Sequence, residues 1–494
     1  MRYRRPMLFQ TPHAAQAALR HHHTSPNPNC HQSARTYTPN DLQALFSRPK
    51  KCLTNPSSLC YSVLASQYYE GGGAITEHIA IERNPDAKKL RIMEAATELF
   101  VDQGYFPTTF DHIAAEAGVA RGSITRHFGT KSNLALEILL SLRIELAEHL
   151  KQVQEGLSSS EEIVLVRTRE FIRWCVANKH KATYVFALRH SEFLDDRAHG
   201  RPDDAMIGTG KRWIALGKSW VGEGQERGEV RSGRPYLLGL AAASPAVYLA
   251  QLVLEGEVDF NLLDIADELA RLTWDMLRAR DGSSPSLAEP GAKERHTQPK
   301  RSRRRSAANS KDRIAETAMS LFVEQGYFPT TLDQIASIAR VSKQAIAEHF
   351  NRKADLARDV LFMLRTEMGA ALRPVYGQVE SGERTMRDAV AAFLDWCSRH
   401  PTKARYLFAL RHKEFLDDAP GTRSDELVQI ERQGLVAAQR RGEVRAGGPD
   451  LLMYAQFGVA VVICRLILEG WLDYELEDVK DDLAQLSWDM VRCR

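Results

Sequence analysis

The chain contains an internal repeat, and this repeat limits the possible folds more than any other feature of the sequence. Residues 105–109, Tyr-Phe-Pro-Thr-Thr, return 222 positions later at residues 327–331. From Ile92 to Phe128, 21 of 37 positions are identical to those from Ile314 to Phe350. This identity predicts that one unit was duplicated and that both copies share one fold.

The repeat extends into the second half of each copy. Residues 186–190, Phe-Ala-Leu-Arg-His, return at residues 408–412 with the same offset, whereas Trp274 corresponds to Trp488 with an offset of 214. Copy two has therefore lost eight residues between these points. The repeated unit spans roughly 195 residues, and the two copies account for most of the 494-residue chain.

Each copy has the apolar periodicity of α-helices and lacks the alternating pattern of strands, so we expect an all-α fold. In copy one, the first helix should end at Gly104, and Thr109 is a suitable cap for a second helix. Gly118 suits a turn to a third helix that ends at Phe128. Three short helices with a glycine turn between the second and third are typical of a helix-turn-helix domain.

This segment resembles the N-terminal DNA-binding domain of the TetR family over residues 88–136 and again over residues 310–358. The residues of copy one that carry the resemblance are Leu99-Phe100, Gly104, Thr108-Thr109, Ile113-Ala114, Ala117-Gly118-Val119, His127-Phe128 and Lys131 through Leu134. The resemblance implies two tandem TetR-like units, each with an N-terminal helix-turn-helix domain and a C-terminal helical ligand and dimerisation domain. We expect six parts in chain order: a disordered extension at 1–83, a helix-turn-helix domain at 84–134, a helical regulatory domain at 135–280, a basic flexible linker at 281–310, a more degenerate helix-turn-helix domain at 311–356 and a second helical regulatory domain at 357–494.

The resemblance implies that the two helix-turn-helix domains, here called head one and head two, bind a double-stranded DNA operator. Free N–H groups at the start of the second helix can hold a phosphate, and arginines of the third helix can read guanine. Lys131 and Lys353 occupy the position where the family places a phosphate contact. The predicted DNA-binding residues are Thr108, Thr109, Arg121, Ser123, Thr125, Arg126, His127 and Lys131 in head one and Thr330, Thr331, Lys343, Gln344, His349 and Lys353 in head two.

Two of the differences between the heads affect the turn between the helices and the charge of the third helix. Gly118 is replaced by Arg340, so a non-glycine residue must form the turn between the helices at a cost of about 1 kcal/mol. Arg126 is replaced by Glu348, which would face the DNA phosphates with the wrong sign. Head two is therefore either a weaker reading head or a degenerate domain that is kept for packing.

A basic run precedes head two at residues 300–305. One interpretation places Arg303, Arg304 and Arg305 in the minor groove of DNA as an N-terminal arm. The alternative is a solvated charge run that keeps the linker disordered.

The resemblance also implies dimerisation through the last two helices of each unit. The predicted interface consists of the apolar stretches 237–254 and 451–468 and the helices that carry Trp274 and Trp488, and we expect no membrane span. Plain core packing is the alternative role for the two tryptophans. The linker holds the copies at an effective concentration on the order of 1 mM, which favours an intramolecular pseudo-dimer over a homodimer of two chains.

A helical regulatory domain can enclose a pocket for a small-molecule effector, whose identity the sequence leaves unknown. One interpretation of the residues that recur in both copies is an aromatic and polar pocket wall; the other is core aromatics with an internal Arg–Glu pair. The candidate pocket residues are Trp174, Phe186, Arg189 and His190 in copy one and Trp396, Phe408, Arg411 and His412 in copy two.

Composition excludes several classes of protein. The net charge of +3 provides no global basic field, so DNA binding must rest on local patches. Seven cysteines without a CxxC pair predict no metal site, no cofactor and a reducing, bacterial cytoplasmic environment at the nucleoid. No catalytic constellation occurs at a usable spacing, so we expect no enzyme. The leading hypothesis is a ligand-responsive repressor, and the alternative is a ligand-sensing or protein-interaction scaffold with decayed heads.

Overall fold

The computed structural model describes residues 87–188, 220–280, 310–376, 381–410 and 426–493. The expected disordered extension at 1–83 and almost all of the expected linker at 281–310 lie outside these ranges. Within them the secondary structure is helical, apart from two isolated antiparallel bridges that pair Val230 with Arg278 and Val444 with Arg492. The prediction of an all-α fold is therefore confirmed.

Copy one contains nine helices in the described residues. Their bounds are α1 Ala87–Asp102, α2 Phe110–Ala117, α3 Arg121–Phe128, α4 Lys131–Gln154, α5 Ser160–Ala177, α6 Lys179–Ala182, α7 with residues 220–226 described, α8 Pro235–Glu255 and α9 Leu262–Leu277. Helix α6 continues directly into a π-helical segment, Thr183–Ala187.

Copy two repeats this order of helices. The bounds are α10 Ser310–Gln325, α11 Leu332–Ala339, α12 Lys343–His349, α13 Lys353–Tyr376, α14 Gly382–Arg399, α15 Pro401–Ala409, α16 Glu426–Arg440, α17 Pro449–Leu468 and α18 Leu476–Val491. Each helix of copy two thus has its counterpart nine helices earlier, as the duplication in the sequence requires.

The apolar spacing seen in the sequence places the core of head one between α1, α2 and α3. Ile92 and Phe100 of α1 pack with Ile113 of α2 and Ile124 of α3, and all four are fully buried. The buried Tyr184 joins this core from the π-helical segment, and its hydroxyl donates to the carbonyl oxygen of Ala135 at 2.8 Å. Head one is therefore packed directly against the regulatory helices of its own copy.

The two copies pack against each other through their last two long helices. Helix α8 lies along α17, and α9 contacts α18, so that the four helices form one bundle. Gly458 permits the close approach of α8 and α17, because a Cβ atom there would lie 2.9 Å from Cδ1 of Tyr248. Arg465 and Gln251, which occupy equivalent positions of the two copies, meet across the bundle with Nη1 and Oε1 2.6 Å apart.

Helices α8 and α17 are long and apolar enough to cross a membrane, a property that they share with buried core helices of soluble proteins. Over their most apolar windows, 56% of α8 and 72% of α17 is buried inside the protein. Packing between the copies accounts for much of this apolar surface. Trp274 and Trp488 also pack in a core that contains residues of both copies.

Candidate nucleic-acid interface

Helix α3 of head one and helix α12 of head two are the two reading helices that the sequence predicts. Thr109 begins the preceding helix α2, because its side chain accepts a hydrogen bond from the backbone N–H of His112. Thr331 does the same for Gln334 in α11, and the Gln334 side chain accepts in return from the backbone N–H of Thr331 at 2.9 Å. Both caps leave the first turn of the helix at the surface, where a phosphate could approach.

The turns between the helices have the same backbone conformation in both heads. Gly118 adopts φ 61° and ψ 43°, and Arg340 adopts φ 56° and ψ 50°. Arg340 is the one non-glycine residue with positive φ in the described part of the chain. The turn therefore occurs as the sequence predicts, with backbone strain in head two that glycine avoids in head one.

The polar side chains of both reading helices lie at the surface. Thr125 and Arg126 of α3 are exposed, and Ser123 and His127 are half-buried. In α12, Gln344 and Glu348 are exposed at the surface. His349 Nε2 lies 2.9 Å from the hydroxyl of Ser310, which ties the end of α12 to the start of α10.

The first basic residue of each reading helix is paired within its own head. Arg121 Nη1 lies 2.8 Å from Oδ2 of Asp111, and Lys343 Nζ lies 2.6 Å from Oδ1 of Asp333. All four side chains are more than 60% exposed, so these pairs add little stability and can open when a stronger anion arrives. Sequence analysis missed the two aspartates. The signal that could have found them is the spacing, because in both copies the aspartate lies ten residues before the basic residue.

Two expected phosphate contacts have a structural role in this conformation. Lys131 Nζ donates to the carbonyl oxygens of Tyr105, Phe106 and Thr108 at 2.9, 3.3 and 3.0 Å. Lys353 makes the equivalent three bonds to Tyr327, Phe328 and Thr330 at 2.8, 3.2 and 2.9 Å. Because three donors already meet three carbonyls, these lysines hold the loop before the cap instead of facing DNA.

Thr108 and Thr330 also point inward. Their side chains are 1% and 0% exposed, and each hydroxyl donates to a glycine carbonyl four residues earlier, at 2.8 Å to Gly104 and 2.7 Å to Gly326. The expectation that these two threonines contact DNA through their side chains is therefore corrected. The exposed threonine of each pair is the second one, Thr109 or Thr331.

The two heads contact each other beside these loops. The rings of Phe106 and Phe328, which are equivalent residues of the two copies, have centroids 5.7 Å apart. The spatial relation between the reading helices thus depends on a ring contact as well as on the bundle of α8, α9, α17 and α18. The arm residues Arg303, Arg304 and Arg305 lie outside the described residues.

The predicted pocket residues that the structure describes do not line the cavity found in copy one. Trp174 and Trp396 are buried in the regulatory cores, and the half-buried Phe186 and Phe408 pack edge-on against Phe171 and Phe393. Arg189, His190, Arg411 and His412 lie outside the described residues. A cavity in copy one is instead lined by residues that sequence analysis missed, including Arg167, Thr168 and Phe171.

Comparison with known proteins supports the two heads directly. The sequence pattern of the family described as bacterial regulatory proteins, tetR family, matches residues 92–138 and residues 314–360. Over 96 residues the chain is 30% identical to an HTH-type transcriptional regulator of Staphylococcus aureus strain USA300, which covers 19% of this chain and 52% of that protein. It is 34% identical over 77 residues to the HTH-type transcriptional regulator HbdR of Aromatoleum sp. strain CIB, covering 16% of this chain and 34% of HbdR.

The chain thus spans about half, or less, of the length of these curated relatives. Among solved structures, a bacterial regulatory protein in the tetR family from Rhodococcus RHA1 covers 40% of this chain and 99% of its own, with 19% identity and a TM-score of 0.34. The transcriptional regulator FadR from Bacillus subtilis, solved in complex with stearoyl-CoA, covers 37% of this chain and 96% of its own, with 15% identity and a TM-score of 0.33.

The matched relatives are transcription regulators, a class of protein that is not enzymatic. The family match occurs twice, at positions 222 residues apart, and coincides with helices α1–α3 and α10–α12. The chain therefore contains two copies of the domain described for bacterial regulatory proteins of the tetR family, in tandem.

Proposed function

We propose that the protein is a sequence-specific, DNA-binding repressor of transcription in which both heads of one chain read a single operator. The observation that carries this proposal is the presence of two surface reading helices, α3 and α12, on copies that pack together within one chain. The polar residues of α3, above all Arg121 and Arg126, would contact base edges, and the first turn of α2 would contact a phosphate. The protein would act in the bacterial cytoplasm.

The pairing of the copies supports an intramolecular pseudo-dimer as the functional unit. Arg231 of copy one and Asp489 of copy two form a buried ion pair, and Arg445 and Asp275 form the reciprocal pair. Separation of the copies would break both pairs and leave Asp489 with Arg492, and Asp275 with Arg278, as the arginine partners within their own copies. The linker adds a high effective concentration. A homodimer of two chains would have to replace each of these contacts.

The two heads would then read unequal half-sites. Head one presents Arg126 at the position where head two presents Glu348. A carboxylate near the phosphate backbone opposes binding, whereas a guanidinium assists it and releases counterions. We therefore expect an operator with one strong and one weak half-site. A small-molecule effector bound in a regulatory domain would lower operator affinity by changing the relation of the heads, which meet at Phe106 and Phe328.

The test is selection of bound fragments from random genomic DNA, at low salt and without added effector, using the full chain. The proposal expects enrichment of a site with two unequal halves. The double variant Arg121→Ala, Arg126→Ala should lose the strong half-site, whereas Arg384→Ala, at an exposed position of α14, should not. Recovery of a perfect palindrome would show that like copies pair between chains. Enrichment of no site would favour the scaffold with decayed heads.

A further inference from the structure

The regulatory domain of copy one contains a cavity between α4, α5, α7 and α8. The cavity volume is about 60 Å³, measured as the space open to the centre of a water-sized sphere, and the whole cleft with the open solvent at its mouth is about 650 Å³. The apolar part of the lining includes Leu150, Val164, Phe171, Trp220 and Leu240. Since one water molecule needs about 10–15 Å³ of volume measured in this way, the cavity fits a group of a few heavy atoms, and a longer ligand would extend toward the mouth.

Two polar side chains break this apolar lining, Arg167 and Thr168 of α5. Arg167 Nη1 donates to Oε1 of Gln154 at 2.6 Å, and no carboxylate of the described residues forms an ion pair with Arg167. Burial lowers the pKa of the Arg167 guanidinium to about 10. The guanidinium is half-buried beside apolar walls, and its hydrogen-bond partner is a neutral amide. An anion in the cavity would supply the negative charge that this amide does not provide.

The equivalent region of copy two lacks both polar groups. Arg167 corresponds to Ala389 and Thr168 to Val390, which are 2% and 1% exposed. The arginine is therefore not needed to build the fold that the two copies share. Copy two packs the same position with small apolar side chains, which is the usual solution for a buried site without a ligand.

Copy two also fills the space. Gly239 of α8 corresponds to Met453 of α17, and Ala243 corresponds to Phe457. The Phe457 ring packs against Phe393, the counterpart of the cavity residue Phe171, with ring centroids 5.1 Å apart. The space that Met453 and Phe457 occupy in copy two is thus left open in copy one, where α8 has small residues at both positions.

From these differences we propose that the effector is a small organic monoanion with an apolar body, and that each chain binds one molecule, in copy one only. Its carboxylate would lie against Arg167 with Thr168 as a second donor, and its carbon chain would lie against Phe171 and Leu240. This inference rests on the ligand response in the proposed function. It adds the chemical class of the effector, the copy that senses it and a stoichiometry of one per chain.

The test is calorimetric titration of the full chain, without DNA, with linear monocarboxylates of two to eight carbons and with the matching alcohols as uncharged probes. We expect saturable binding of one carboxylate per chain that tightens with chain length before it levels off. Arg167→Ala, which installs the residue of copy two, should weaken carboxylate binding at least tenfold and leave the weak binding of the alcohols unchanged. The matched control Arg173→Ala, at an exposed position of the same helix, should bind like the wild type.

A second variant, Ala243→Phe, installs the side chain that fills copy two and should abolish binding of both probe classes. Thermal unfolding of each variant shows whether it is folded. Two carboxylates per chain, unchanged affinity in Arg167→Ala, or no saturable binding at any chain length would each overturn the proposal. Because the titration contains no DNA, its failure is distinct from a failure to select an operator, which would count against the proposed function instead.

Discussion

Arg231 of copy one donates to the carboxylate of Asp489 in copy two across 2.6 Å, although the two residues are 258 positions apart in sequence. Their side chains are 3% and 1% exposed, so the pair is completely enclosed at the boundary between the copies. The reciprocal pair of Arg445 with Asp275 has the same 2.6 Å distance but leaves the arginine 23% exposed. The two sides of the boundary are thus related by the duplication and are buried to different extents.

Removal of the Asp489 carboxylate, which Arg280 and Arg492 also contact, should be strongly destabilising. Two further nitrogens of Arg231, Nε and Nη2, are buried without hydrogen-bond partners, so the guanidinium depends on Asp489. Asp489→Ala should therefore lower the free energy of unfolding by about 3–5 kcal/mol. The control Asp450→Ala removes an exposed pair with Arg432, whose side chains are 42% and 46% exposed, and should cost at most about 1 kcal/mol. Urea denaturation measures the free energy of unfolding of both variants. Equal decreases for Asp489→Ala and Asp450→Ala would contradict the importance of burial.

Replacement of Arg340 by glycine should stabilise the protein. Arg340 has a left-handed backbone with φ 56°, which costs a non-glycine residue roughly 1–2 kcal/mol, part of which glycine loses again through the entropy of the unfolded chain. We expect Arg340→Gly to raise the free energy of unfolding by up to about 1 kcal/mol. The same change at Gln344, inside helix α12, should lower it by about 0.5–1 kcal/mol. A destabilising Arg340→Gly would show that the arginine side chain offsets the strain.

Acid should weaken the hydrogen bond that joins the start of α5 to Glu229. The Glu229 carboxylate accepts from Arg227 and from the backbone N–H of Ser160, and these hydrogen bonds lower its pKa from 4.5 to about 2. Between pH 4.5 and pH 2 the unfolded state binds more protons at this residue than the folded state does. The contribution of Glu229 to stability is therefore present above about pH 4.5 and is lost as the pH falls toward 2. Glu229→Gln should flatten this part of a stability profile measured by denaturation, and the exposed Glu226→Gln should not. Parallel profiles for wild type and Glu229→Gln would refute the assignment.

Lys131 should matter for the stability of head one more than for its affinity for DNA. Lys131→Met removes three hydrogen bonds to carbonyls and should cost about 1–3 kcal/mol in unfolding experiments. The slope of log affinity against log salt should stay unchanged for Lys131→Met, whereas Arg126→Ala removes an exposed cation from the reading helix and should reduce the slope by up to about 1. A reduced slope for Lys131→Met would show that the lysine leaves its carbonyls and contacts DNA in the complex.

Reversal of the acidic substitution in head two should strengthen DNA binding. Glu348 is exposed on α12, so Glu348→Arg should leave stability within about 0.5 kcal/mol of wild type. It should raise affinity for an operator and steepen the salt dependence by about 1. Glu383→Arg makes the same charge change on α14, at a side chain that is 49% exposed, and should have little effect. Equal affinities for Glu348→Arg and wild type would indicate that head two does not approach DNA.

Local patterns in the sequence were sufficient for the helices and for the turns between them. Apolar spacing along α1 predicted a face that Ile92 and Phe100 do bury, and Thr109 predicted the start of α2. The strain at Arg340 followed from comparison with Gly118. These features depend on residues within a few positions of each other. Because the unit is duplicated, the same pattern could be checked in both copies.

The partners of charged and polar groups were decided only by the tertiary structure. Nothing local to Lys131 shows that its ammonium reaches carbonyls 23 to 26 residues earlier, or that Thr108 points inward while Thr109 points outward. The sequence determined that this chain is duplicated, is all-helical and carries two TetR-type heads, because periodicity and caps are local. Long-range packing decided that Arg231 meets Asp489 and that a cavity lies beside Arg167 in copy one, because such contacts depend on how distant helices approach each other.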